Sequence, residues 1–230
     1  MSTRTEAIHK VADVDPEPRE DALPEFYDRS SLTGDYMVMI PDQTPEDFEK
    51  YAPESRFCHY IDGVIYLPSP VSDRHQEQVI FLIDMLNGFR LARKECGAVM
   101  TGPAVLRISD QRKPEPDIFV RPPAPAKRTH PKALLVVEVF SPSTRTLDRG
   151  LKLDVYRDAR IPEIWLVDSR NRQMIVERRG PKRYRRDEMS DGYLRSTSIP
   201  GFWIDVAWLW ESPLPNPRLC LERILAGPPE

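Results

Sequence analysis

The stretch from Pro114 to Asp168 decides how this chain is read. It opens with Pro114-Glu115-Pro116-Asp117-Ile118-Phe119-Val120 and continues into Leu134-Leu135-Val136-Val137-Glu138-Val139-Phe140. It ends with a polar helix-like run that carries Asp148, Lys152 and Tyr156, and then Glu163-Ile164-Trp165-Leu166-Val167-Asp168. The run around Glu138 is apolar on both faces, the pattern of a central strand covered on both sides. A carboxylate inside such a strand is costly unless it is paired or binds a cation, and an unpaired one tends to neutralise. Glu138 therefore requires a partner.

Working outward, the periodicity predicts β-like runs over residues 99–108, 117–120 and 133–140, a helix over 147–159 and a strand over 163–168. Upstream, Asp62-Gly63 between two short apolar runs predicts a hairpin, and residues 44–51 carry an N-cap, an N1 proline and first-turn acids, the start of a short helix. Ser72 caps a long helix predicted to run to about residue 95, with Gly97 as its stop and His75 in its first turn. Hairpin-like strands follow over about 173–197, then an aromatic segment with Trp203, Trp208 and Trp210, read as core or interface residues and not as base-stacking platforms. Helix, three strands, helix, strand implies an α/β fold with a mixed sheet flanked by helices.

Composition sets wider bounds. With 230 residues, 40% hydrophobic and 30% charged, the chain is long enough for one sizeable core. Residues 1–30 are acidic, proline-bearing and poor in apolar side chains, which predicts a disordered or loosely packed tail before a single domain over 31–230. The first 60 residues hold 14 acidic and 6 basic residues, net -8, and the remaining 22 acidic and 27 basic residues are net +5. A mildly basic core permits a polyanionic partner without demanding one. Cys58, Cys96 and Cys220 form no C-x-x-C pair, so they read as reduced thiols and not as a zinc ribbon or disulfide framework. No apolar run reaches membrane-span length and no secretory leader is visible, so the expectation is a cytoplasmic protein without a membrane partner.

Several residues are candidates for chemistry. Asp117 opens the strand preceding that of Glu138; two carboxylates on adjacent strands face one another across about 5 Å. Such a pair suggests a hard divalent ion with oxygen ligands. The alternative is that Glu138 accepts a hydrogen bond from, or pairs with, a core arginine in a purely structural role. Lys152 has Asp148 and Tyr156 four residues to either side, hence on one helix face, where it can serve a metal-bound water or form a surface ion pair with Asp148. The run from Arg178 to Arg186 either tracks phosphates or is a solvated hairpin.

Pro-Asp, then Val-Val-Glu-Val-x-Ser-Pro-Ser-Thr, then Asp-x-x-x-Lys-x-x-x-Tyr, then Ile-Pro-Glu-Ile-Trp-Leu-Val-Asp resembles the Uma-two family of restriction endonucleases, within the PD-(D/E)XK nuclease superfamily. The likeness spans roughly residues 45–210 and includes the turn at Asp62-Gly63, His75 and Ile199-Pro200-Gly201. It implies a restriction-endonuclease-like core, here with an added N-terminal hairpin and a β-rich C-terminal extension. The implied activity is hydrolysis of phosphodiester bonds in nucleic acid, with DNA as the expected substrate, dependent on Mg²⁺ or Mn²⁺. The resemblance implies metal ligation by Asp117, Glu138 and the Val139 carbonyl, with Lys152, His75 and Tyr156 completing the catalytic set. Two departures stand out. Phe140 occupies the place of the superfamily's lysine, so that role passes to Lys152, and His59 stands where relatives often have a glutamate. The latter leaves open a catalytically inactive nuclease-fold module that binds nucleic acid or protein, and a third reading is hydrolysis of a non-nucleic phosphate ester. A homodimer would suit cleavage of two strands.

Overall fold

The computed structural model describes residues 34–51, 57–94, 96–124 and 131–228. The tail expected over residues 1–30 lies outside the described residues. In chain order the elements are β1 (Met37–Ile40), α1 (Pro45–Tyr51), β2 (His59–Ile61), β3 (Val64–Pro68), α2 (Asp73–Arg93), β4 (Val99–Thr101), β5 (Arg112–Lys113), β6 (Ile118–Val120) and β7 (Leu135–Val139). They continue with α3 (Arg145–Leu147), a π-helical turn (Asp148–Lys152), α4 (Leu153–Asp158), β8 (Glu163–Asp168), β9 (Gln173–Arg179), β10 (Tyr184–Met189), β11 (Tyr193–Arg195), β12 (Trp203–Asp205), a 3-10 turn (Val206–Trp210) and α5 (Pro217–Ala226).

A six-stranded sheet in the order β10-β9-β8-β7-β6-β4 carries the architecture. Within it β7 and β8 run parallel while the other neighbours are antiparallel. A parallel pair needs a crossover, and α3, the π turn and α4 supply it. Strand alternation then sorts β7. Leu135, Val137 and Val139 join a core with Val79, Leu82 and Met85 of α2, whereas Val136 joins the opposite core with Leu153 and Tyr156 of α4. Glu138 has the parity of Val136 and so faces α4. The α/β class and the mixed sheet flanked by helices follow the sequence reading. A second, four-stranded sheet, β1-β3-β2-β5, contains the expected hairpin, whose turn holds Asp62 and Gly63 at φ 48° and 86°.

Two boundaries differ from the sequence reading. The run over 99–108 is a strand only to Thr101, because Pro103 has no N–H for a ladder and the Ala104 N–H turns back to the Thr101 carbonyl. Helix α2 is closed not by Gly97 but by Lys94, which takes a left-handed conformation (φ 59°) and donates its N–H to the Arg90 carbonyl. Gly97 is needed for a different reason, since a Cβ there would stand 2.1 Å from the Pro122 carbonyl oxygen. Helix α5, capped by the Asn216 side chain, lay outside the sequence reading.

Two buried carboxylates tie the later elements to the sheet. Glu163 accepts from Trp165 Nε1 (2.9 Å) and Ser196 Oγ (2.8 Å) and from the N–H groups of Thr197 and Ser198 (both 2.9 Å), which fastens the loop after β11 to β8. Asp168, at the end of β8, accepts from both terminal nitrogens of Arg145 and from the Asn171 side chain, joining the sheet to the start of the crossover. Trp203 and Trp208 are buried, as read from sequence.

Burial opposes the Asp168 charge, but the bonds from Arg145 and Asn171 outweigh it and hold the carboxyl below its usual range. The folded state thus binds this proton less readily than the unfolded chain. Its contribution to stability is present above about pH 4 and is lost as the pH falls through the lowered folded value. Asp168→Asn is expected to cost about 1–3 kcal/mol at pH 7 in thermal melts, with the difference from wild type narrowing below about pH 4. A difference that stays constant down to pH 3 would contradict this role.

Candidate active site

The β6–β7 register pairs Ile118 with Val137, so Asp117 and Glu138 come next, at the end of the ladder. Each is fastened to the other's strand. Asp117 Oδ2 accepts the Val139 N–H at 2.7 Å, and the Asp117 N–H approaches Glu138 Oε2 at 3.4 Å. Asp117 and Glu138 thus lie side by side on neighbouring strands.

The crossover delivers the cation. Lys152 Nζ lies 2.6 Å from Glu138 Oε1 and 2.9 Å from Asp148 Oδ1, with all three side chains at most 2% exposed. The Tyr156 hydroxyl donates to the same Glu138 Oε1 at 2.5 Å. The three residues at helical spacing do share a face, and the π turn that carries Asp148 and Lys152 is a form that recurs at functional sites. The Asp148–Lys152 pair is buried, which removes the surface-pair reading. Burial disfavours the Lys152 charge, but Asp148 and Glu138 outweigh it and hold the ammonium above its ordinary range. In this arrangement Lys152 orients and stabilises charge; it does not accept a proton. For Glu138 and Asp148, burial dominates and raises both carboxyls despite Lys152, and Asp117 adds to the effect.

His75 reaches the cluster from the first turn of α2, where Ser72 Oγ accepts its N–H. Its Nε2 lies 3.3 Å from Asp117 Oδ2. Burial opposes its charge, but Asp117 and a hydrogen bond to the Val139 backbone raise it above the ordinary histidine value. The structure thus brings Asp117, Glu138, Val139, Lys152, His75 and Tyr156 together. All but Val139 and Tyr156 line a cavity of about 170 Å³.

The cavity also holds residues that sequence reasoning did not single out. Glu115 is buried and accepts the Cys58 N–H at 3.0 Å, and burial pushes its carboxyl up to about 8. It lies two residues before Asp117 in an extended segment, and that same-side spacing was the available signal. Ser69 and Thr144 line the cavity as well. The basic run contributes differently. Arg178 pairs with Asp187 and Arg186 with Glu177, each at 2.7 Å, so part of its charge is spent within the β9–β10 hairpin.

Whether these residues suit a divalent ion can be judged from their donors. Among the described residues no three His, Cys, Asp or Glu side chains are grouped to hold a metal by themselves. Asp117, Glu138 and the Val139 carbonyl nevertheless form an all-oxygen set for a hard cation that keeps several waters. Burial raises the Glu138 and Asp148 carboxyls, and the neighbouring carboxylates add to the rise. The set fits such an ion as a partial, water-completed site.

Removing Lys152 leaves two buried carboxyls without their cation. Lys152→Met is expected to lose about 3–5 kcal/mol in urea unfolding with EDTA present, and Tyr156→Phe about 1 kcal/mol. A Lys152→Met protein as stable as wild type would contradict the pairing.

The chain was compared with known proteins. Among curated proteins none matches it. A solved structure with the same fold is that of "a putative nuclease belonging to DUF820" from Anabaena variabilis. It is 16% identical, with a TM-score of 0.57 over 73% of this chain and 97% of that one. The family Uma2, described as "Putative restriction endonuclease", matches residues 45–207. With most of its length accounted for, the chain belongs to the Uma2 family.

Proposed function

We propose that this protein is a divalent-cation-dependent endonuclease that hydrolyses phosphodiester bonds of nucleic acid, with DNA as its substrate. The observation that carries the reading is the meeting of Asp117, Glu138 and Lys152 at one cavity. Asp117, Glu138 and the Val139 carbonyl would hold the cation, Mg²⁺ or Mn²⁺. When bound, such an ion supplies Lewis-acid stabilisation of phosphoryl charge and a more acidic water.

The chain's own residues have separable tasks. Lys152 offsets negative charge that develops on the phosphoryl group and helps orient the attacking water. Tyr156 fixes the Glu138 carboxylate through Oε1, which leaves Oε2 the better placed to act as a ligand. His75 orients Asp117 from α2. Because the attacking water gives up a proton and the leaving oxygen takes one, the neighbouring carboxyls with raised affinity for protons are suited to exchange them with solvent.

One observation favours a second reading. Glu138 Oε1 is already occupied by Lys152 and Tyr156, as expected of an inactive module that keeps the cluster for stability. Incubation with supercoiled plasmid and with single-stranded DNA, plus Mg²⁺ or Mn²⁺, separates the two. Nicking that needs the cation, and that falls by about 10²-fold or more in Asp117→Ala and Glu138→Ala, supports the nuclease. Equal nicking by wild type and both variants would refute it.

A further inference from the structure

His59, on β2, is 1% exposed and faces the same cavity, yet it contributes nothing to the carboxylate cluster described above. Its Nδ1 accepts the backbone N–H of Glu115 at 3.1 Å. A backbone amide can only donate, so Nδ1 carries no proton and the neutral ring must hold its one proton on Nε2. The Phe57 ring meets His59 edge-on, with centroids 6.4 Å apart, and further fixes the plane of the imidazole. Burial, with the nearby Lys152 charge, keeps His59 well below its ordinary value, consistent with a neutral ring. The tautomer and orientation are thereby both fixed.

Among the described residues the Nε2–H so defined has no hydrogen-bond partner. Neither does Ser69 Oγ, 3% exposed, nor His75 Nδ1. All three residues line this cavity. Buried polar atoms are rarely left unsatisfied, and each stranded donor costs free energy that an acceptor from outside would recover. Several such atoms around one small cavity mark it as shaped for a polar ligand. A neutral donor suits an oxygen-rich one, because an acidic side chain at the same place would repel it.

We propose that His59 is a substrate-binding residue, whose fixed Nε2–H donates to a phosphate oxygen of the nucleotide held in this cavity, with Ser69 Oγ as a further polar contact. The identification of the ligand as a nucleotide rests on the nuclease reading; the donor itself does not. Histidine in place of an acid at this position then exchanges a proton acceptor for a donor aimed at the substrate.

The test uses full-length protein with ¹⁵N-labelled histidine, of which the chain has four, titrated with thymidine 3′,5′-bisphosphate in Mg²⁺. The free protein is expected to show the Nε2–H tautomer for His59, and ligand addition should shift that resonance. His59→Leu should weaken binding about tenfold, the loss of a hydrogen bond worth roughly 1.4 kcal/mol. His59→Gln, whose amide N–H can reach the Nε2 position, should stay within about threefold of wild type. If His59→Leu does not fold in a thermal melt, the wild-type resonance decides alone. An unshifted His59 resonance, or equal affinity in wild type and His59→Leu, overturns the proposal. Ligand binding at His59 by a protein that cuts no DNA would sink the nuclease reading and leave this one standing, and cleavage with an unperturbed His59 would do the reverse.

Discussion

The Lys152 ammonium lies between two buried carboxylates, and much of the molecule is arranged to keep it there. Glu138 lies near the end of β7, a strand that is otherwise apolar, and nothing on its own strand can neutralise it. The partner has to come from the next element, so the β7–β8 crossover must pass directly over the end of β7. Coulomb attraction at 2.6 Å in surroundings of low polarity is strong, but so is the cost of removing three charged groups from water. The cluster therefore contributes specificity more clearly than stability: it fixes the crossover helix in rotation and in height above the sheet.

This constraint also shapes the site. A single ammonium faces Glu138, Asp148 and Asp117, and burial, to which the neighbouring carboxylates add, raises both fully buried carboxyls despite it. A protein assembled only for stability gains little from such an imbalance, whereas one that binds a cation at its rim can use it. On the proposed reading, the groups that hold the fold's least favourable charge are the same groups that recruit the ion. Asp117 links the two roles, since it anchors the Val139 N–H, contacts His75 and retains access to the cavity.

Much of this was legible in the sequence because it depends on local spacing. Glu138 stands out as a carboxylate in an apolar run, and the four-residue intervals linking Asp148, Lys152 and Tyr156 place them on one helix face. The Asp62-Gly63 turn and the Ser72 cap were legible for the same reason. Features set by long-range contact were not. Burial of Asp148 depends on how closely the π turn settles on β7, and the tautomer of His59 depends on a backbone N–H 56 residues away. Glu115 was hidden by its prolines, which read as turn chemistry and not as a segment lining a cavity. Lys94, and not Gly97, takes the left-handed position that closes α2, against the usual preference for glycine there.

On the proposed reading, Asp117 and Glu138 together hold a divalent cation beside Lys152. Calorimetric titration of the metal-free protein with Mn²⁺ tests it without relying on any substrate. Saturable binding is expected, lost in Asp117→Asn and in Glu138→Gln, while both variants retain a cooperative thermal transition. Binding unchanged by either substitution, or its absence from the wild-type protein, would contradict it.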